Sequence, residues 1–163
     1  MTSKNVRRSA VALALVAFGA VSAQAQIATQ TVAFQVNAIN QIAFTGSPSL
    51  TITTAVAGSA PTSVTDASAS WAVTSNQSSA KITASIPTAM PTGLTLSSNL
   101  TAPTGGTSAG FLALSATAVD LVTGITKIAQ GSLGVSYKLD ATAAAGVVAS
   151  GSRVVTYTIT GGT

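Results

Sequence analysis

Apolar residues alternate with small or polar residues along much of the chain, and this alternation limits the fold more than any other feature of the sequence. Near the C-terminus, every second residue is apolar in two runs, residues 132–140 and residues 154–160. Side chains on a β-strand point alternately to its two faces, so each run predicts a strand with one face on a core. We therefore expect these two runs to form a pair of neighbouring strands.

The same pattern recurs along the chain at spacings of roughly 8–12 residues, and clusters of Gly, Pro, Asn and Ser separate the runs. No stretch has the apolar spacing of a convincing amphipathic helix. Trp71 lies on an alternating run and is expected to face the core, and the nearly continuous apolar run 111–119 predicts a strand near the sheet centre or a buried helical turn. The sequence therefore predicts an all-β domain of about eight short strands, a two-sheet antiparallel sandwich of immunoglobulin-like type.

Residues 1–25 have the three parts of a secretory signal peptide. Basic residues lie between positions 4 and 8, residues 10–21 are apolar, and residues 23–25 form a small-x-small cleavage site. The apolar run is shorter than the about 20 residues that span a bilayer comfortably, although a retained membrane anchor is the alternative. We expect cleavage to leave one domain, residues 26–163, with no membrane span. This predicts a secreted protein that resides in the periplasm, at the cell surface or in the extracellular space.

Few residues outside the predicted signal peptide carry a charge. The chain has a net charge of +4, but three of its seven Lys and Arg residues belong to that signal. Residues 26–163 keep four basic residues against three aspartates, a net charge of +1. Four scattered cations do not form the basic patch that a phosphate backbone requires, so we exclude nucleic acid as a partner. A hydroxyl-rich surface with little self-repulsion instead favours packing against copies of the same chain.

The sequence offers no combination of residues that supports catalysis or a cofactor. It contains no Cys and no His, which removes disulfides and the usual zinc, copper and haem ligands. Residues 106–110 match the nucleophile-elbow pattern, but that motif requires a His base. Ser78 and Lys81 match Ser-x-x-Lys, but at this spacing on a strand they point to opposite faces. We therefore expect a protein that is not an enzyme, without catalytic, cofactor-binding or metal sites and without a cofactor.

The segment that begins at residue 29 is the strongest candidate for a functional site. Residues 29–37 alternate, and the phase of the alternation shifts by one at residues 38–39, which a bulge or a change of sheet would explain. No tight hairpin joins this segment to the next one. It is therefore able to lie in its own sheet or to complete the sheet of a neighbouring molecule. The candidate side chains for strand donation and self-assembly are Val32, Phe34, Val36, Ile39, Ile42 and Phe44.

The predicted signal, the alternating start at residues 30–37, the middle rich in Ser, Thr, Ala and Gly, and the closing run 154–160 resemble bacterial fimbrial or pilin-type secreted sandwiches. The chain departs from the common chaperone–usher pilins because it lacks their Cys pair. The resemblance implies a pilin-like sandwich whose subunits join by strand donation into surface fibres. We therefore predict a structural protein of the cell surface or extracellular matrix that associates with copies of itself.

The alternative prediction is a monomeric secreted module that binds polysaccharide or mediates surface adhesion. Such a module presents aromatic side chains to a glycan ligand, whereas we expect the few aromatic residues of this chain to face inward. No motif in the sequence supports a glycan partner directly.

Overall fold

The computed structural model describes residues 24–162. Residues 1–23, which hold nearly all of the predicted signal peptide, lie outside the described residues. From Val36 onward the chain forms one compact unit, and the described residues 24–35 belong to a separate N-terminal unit. Every strand of the described chain lies in the unit that begins at Val36.

The described residues contain nine strands and one short turn of 3-10 helix. In chain order the strands are β1 (Asn40–Thr45), β2 (Val64–Ser75), β3 (Ala80–Ser85), β4 (Leu94–Leu100), β5 (Thr107–Ser108), β6 (Leu112–Ala113), β7 (Val119–Ile125), β8 (Ile128–Ala141) and β9 (Thr156–Thr160). The 3-10 turn, Ala143–Ala145, follows β8. The all-β prediction is therefore confirmed, with nine strands against about eight expected, and two of the nine have only two residues each.

The strands form two antiparallel sheets. The first has five strands in the order β1-β2-β8-β4-β6, and the second has four strands in the order β5-β7-β3-β9. Apolar side chains from the inner faces of both sheets make one core, with Trp71 and Val135 from the first sheet and Ile82 and Leu121 from the second. Burying a side chain of this size contributes about 1.5–3 kcal/mol. The architecture is thus the predicted two-sheet antiparallel sandwich.

The two C-terminal runs do not pair with each other, so the predicted pairing is wrong. The first run lies in β8 and pairs with β2 and β4, whereas the second forms β9 and pairs with β3 in the other sheet. The two runs meet across the core, where the Tyr157 hydroxyl donates a hydrogen bond to the Tyr137 hydroxyl at 2.8 Å. A period of two shows that a strand has a buried face, but it does not identify the neighbouring strand.

The apolar run 111–119 is not a central strand, and that prediction is also wrong. Within it, only the two residues of β6 and Val119, the first residue of β7, are in strands, and β6 lies at the edge of the first sheet. The Ser115 hydroxyl accepts a hydrogen bond from the Thr117 amide at 3.2 Å, which makes a local turn. Because serine and threonine side chains compete for backbone groups in this way, they end a strand within an otherwise apolar run.

Candidate functional site

Three of the six predicted assembly residues are apolar, strongly exposed and outside any strand. Val32, Phe34 and Val36 are 73, 94 and 78% exposed, and residues 24–39 form no strand. The alternating segment 29–37 is therefore not a strand within this chain, although its pattern predicts one. We call Val32, Phe34 and Val36 the donor row. Large apolar side chains exposed at every second position of one segment make that segment a candidate interaction site.

The other three predicted residues lie at or in β1. Ile39, 39% exposed, precedes the strand, whereas Ile42 and Phe44 alternate on it and pack against the core. The six residues therefore do not share one strand, because three are exposed outside any strand, Ile39 precedes β1, and only Ile42 and Phe44 lie in it.

Asn76 fixes the backbone immediately before β1. Its side-chain amide donates a hydrogen bond to the Asn37 carbonyl at 2.7 Å and accepts one from the Ile39 backbone amide at 2.8 Å. The backbone amide of Asn76 donates to the Ile39 carbonyl at 3.2 Å. The ladder between β1 and β2 ends at the pair of Asn40 with Ser75, next to this cluster of bonds. The phase shift predicted a bulge or a change of sheet here. The structure instead shows a strand end held by one side chain, which no periodic signal could have identified.

The two sheets have four edge strands, and these differ in length. β1 has six residues and β9 has five, whereas β5 and β6 have two residues each. Proteins protect sheet edges with short strands, charges or proline, because an exposed edge carries unpaired backbone groups. β5 and β6 are protected by their length. β1 and β9 are longer and contain neither a charged residue nor a proline, so these two edges lack all three protections.

β1 and β9 lie on the same side of the sandwich. The rings of Phe44 and Tyr157 stack with centroids 4.0 Å apart, and the Asn40 side chain donates to the Gly161 carbonyl at 3.2 Å. The start of β1 is thus close to the end of β9, so the two strands run antiparallel in opposite layers. We call the part of the molecule bounded by β1 and β9 the open side. Its inward-facing side chains are only half-buried: Ile42, Phe44, Val155, Tyr157 and Ile159.

The interior behind the open side carries hydroxyl groups but no charge. The Tyr157 hydroxyl, which donates to Tyr137, also forms a 3.0 Å hydrogen bond with the Ser98 hydroxyl. Burial raises the pKa of both tyrosines above their ordinary value of 10.0. Both side chains therefore remain neutral at physiological pH, and the site offers a strand partner an apolar and uncharged surface.

The aspartates have structural partners. Hydrogen bonds from Ser68 and Ser49 hold the pKa of Asp66 below its ordinary value, and a bond from Ser63 does the same for Asp140. Asp120 pairs with Lys81 at 3.0 Å. Across residues 24–162, no three His, Cys, Asp or Glu side chains lie close enough to hold a metal ion. These carboxylates stabilise turns and strands.

Two aromatic side chains do not face inward, which corrects the expectation from the sequence. Phe34 belongs to the exposed donor row, and Phe111 is 41% exposed beside β6. The Lys138 ammonium lies 5.9 Å from the centroid of the Phe111 ring, within the range of a cation–π interaction. Trp71 is buried as predicted, and its indole N–H donates to the Thr101 carbonyl at 3.2 Å.

Comparison of the chain with protein-family models, with curated proteins and with solved structures gives no match. Among the residues that the structure describes, none of the helical segments is long and apolar enough to cross a membrane. The assignment of function therefore has to come from the chemistry and geometry of this chain's own residues.

Proposed function

We propose that the protein is a secreted, non-enzymatic structural subunit of the cell surface or extracellular matrix, which assembles into pilus-like fibres by β-strand addition. The observation that carries this proposal is the donor row, in which three large apolar side chains alternate on a segment that forms no strand in its own chain. The predicted signal peptide and the resemblance to pilin-type sandwiches support export and fibre formation.

The chemistry of the donor segment suits addition to a sheet. Residues 29–37 contain no charge and no proline, so every residue is able to join a backbone ladder. Val32, Phe34 and Val36 recur with the period of a strand and would share one face of it. Burying each of these side chains on a partner contributes about 1.5–3 kcal/mol, and the backbone hydrogen bonds of the new strand add to this.

The arrangement favours an open chain of subunits over a closed pair. The donor row and the open edges are different segments of the chain, so a contact between them in two copies is heterologous. Repetition of a heterologous contact builds a filament unless the rotation closes a ring. With a net charge of +1 on residues 26–163, the subunits repel each other only weakly. Fibre growth therefore does not have to overcome strong charge repulsion between subunits.

A matched pair of triple variants tests the proposal. Val32→Ser, Phe34→Ser and Val36→Ser together remove the apolar row, whereas Thr31→Ser, Ala33→Ser and Gln35→Ser alter the opposite face of the same segment and keep its length. Each protein is produced from the full chain, then examined by size-exclusion chromatography at several concentrations and by electron microscopy.

We expect the wild type and the opposite-face variant to form fibres and large species, and the apolar-row variant to remain monomeric with an unchanged circular-dichroism spectrum. Fibres that persist in the apolar-row variant, or a wild type that stays monomeric at every concentration, would contradict the proposal.

One observation favours the alternative function, a monomeric polysaccharide-binding or adhesion module. Phe111 presents its ring to solvent with a cation beside it, as glycan-binding aromatics do. The other exposed ring, Phe34, belongs to the donor row, so Phe111 offers a single stacking position outside it, and isolated apolar residues are common on protein surfaces. Binding of the monomeric protein on a glycan array separates this function from assembly.

A further inference from the structure

We propose that β9 is the acceptor edge for assembly: residues 31–37 of a second copy pair with the outer edge of β9, and their donor row covers the open side. This inference rests on the proposed function and identifies the surface that the function requires. Three observations select β9 among the four edge strands.

The first observation is the match of apolar positions. At and just before β9, the residues Val155, Tyr157 and Ile159 face inward at every second position and are half-buried. The donor row has the same number of apolar side chains at the same spacing. β1 presents only two inward apolar residues, Ile42 and Phe44. If the donor segment added a strand beside β9, its three apolar side chains would lie next to the three inward apolar side chains at and just before β9. Neighbouring strands in a core are paired in this way.

The second observation is the unequal width of the two layers. The first sheet has five strands and the second has four. Phe44 at the edge of the wider sheet already stacks on Tyr157 of β9, yet it and Ile42 remain half-buried. A fifth strand added beyond β9 would lie over these two side chains and give both sheets the same number of strands. A sixth strand added to β1 would widen the difference and leave its own apolar face without an opposing layer.

The third observation is the absence of charge where the two segments would meet. β9 carries no charge, and neither does the chain from residue 26 to residue 65. The charge nearest to β9 in the sequence is Arg153, whose guanidinium donates to the Ala89 carbonyl at 3.0 Å and to the Ser152 carbonyl at 2.8 Å. Strand addition at β9 therefore requires no desolvation of a charged group.

Cysteine pairs test the choice of edge, because the natural chain has no Cys. Every variant carries Ala33→Cys on the donor segment. A second cysteine is then placed at one outward-facing position of β9: Thr156→Cys, Thr158→Cys or Thr160→Cys. The matched control places it at one outward-facing position of β1: Gln41→Cys, Ala43→Cys or Thr45→Cys. Side chains that face each other on neighbouring strands have Cβ atoms about 4.5–5.5 Å apart, close enough for mild oxidation to link them.

We expect at least one β9 variant to give a ladder of covalent multimers on a non-reducing gel, and the β1 series to give none. Addition of Phe34→Ser should abolish the ladder. Three results would overturn the choice of β9 but not the proposal that the protein assembles. They are ladders from the β1 series alone, a disulfide within one chain, and fibres that form without a ladder from the β9 series. Protein that forms neither fibres nor ladders would overturn the proposed function together with this inference.

Discussion

At the scale of single residues, the core depends on polar groups that satisfy each other. The Ser98 side chain is fully buried, and its hydroxyl bonds to Tyr157, which in turn donates to Tyr137. Among the described residues, no buried side-chain nitrogen or oxygen lacks a hydrogen-bond partner. A buried hydroxyl without a partner costs about 1–3 kcal/mol, so this pairing is required for a sandwich whose core includes serine and tyrosine.

The two tyrosines provide a pH test of their placement. Burial raises the pKa of both side chains in the folded protein, whereas in the unfolded chain each has a pKa of about 10. A raised pKa in the folded state means that unfolding releases protons at high pH. The stabilising effect of the neutral tyrosines is therefore complete below about pH 10 and is lost progressively as the pH rises above it.

We expect a near-ultraviolet absorbance titration of the native protein to show phenolate formation only well above pH 10, and the same titration in denaturant to show it near pH 10. The urea midpoint should stay constant from neutral pH to about pH 9 and then fall. Since the chain has only these two tyrosines, the signal has no other source. Identical native and denatured titrations would place the tyrosines in water and contradict the sandwich core.

At the scale of elements, alternation in the sequence predicted the strands whose inner face is wholly apolar. β3 is the clearest example, because Ala80, Ile82 and Ala84 alternate and are all fully buried. The sequence did not predict β5 and β6, because a two-residue strand is defined by backbone hydrogen bonds and leaves no period to detect. Nor did it predict that β8 and β9 belong to different sheets, since partner choice depends on distant parts of the chain.

The candidate site was predictable only in part. The donor row was visible as an alternating run, but the run predicted a strand, whereas β1 starts only at Asn40, after the backbone that the distant Asn76 side chain holds. The acceptor surface was not visible, because strand order had to be known before β9 could be recognised as an edge.

Two glycines with the same backbone conformation test the packing of the turns. Gly93 and Gly105 both have φ of +81°, a region that other residues enter at a cost of about 1–2 kcal/mol. A Cβ atom at Gly105 would meet nothing within 4 Å, whereas one at Gly93 would lie 2.8 Å from the Ala145 backbone in the 3-10 turn. We expect Gly105→Ala to cost only the conformational energy and Gly93→Ala to cost distinctly more, as measured by urea denaturation. Equal costs would show that the turn after β8 does not pack against Gly93.

At the scale of the whole molecule, the sandwich has one well-protected side and one open side. On one side, the edge strands β5 and β6 have only two residues each. On the other side, the edge strands β1 and β9 are longer and uncharged. The same chain carries an exposed apolar row outside both sheets. In the proposed assembly, the exposed row of one copy would cover the open edge of another. The features that are unusual for a monomer would then be buried between copies.

Amide hydrogen exchange, measured by mass spectrometry on the monomer and on assembled protein, tests this most directly. In the monomer, we predict rapid exchange in peptides that cover residues 31–34 and slow exchange in β3 at the core. In assembled protein, residues 31–34 and β9 should both become protected, while protection in β3 stays unchanged. Protection of residues 31–34 already in the monomer, or rapid exchange of that segment within fibres, would contradict strand addition between copies.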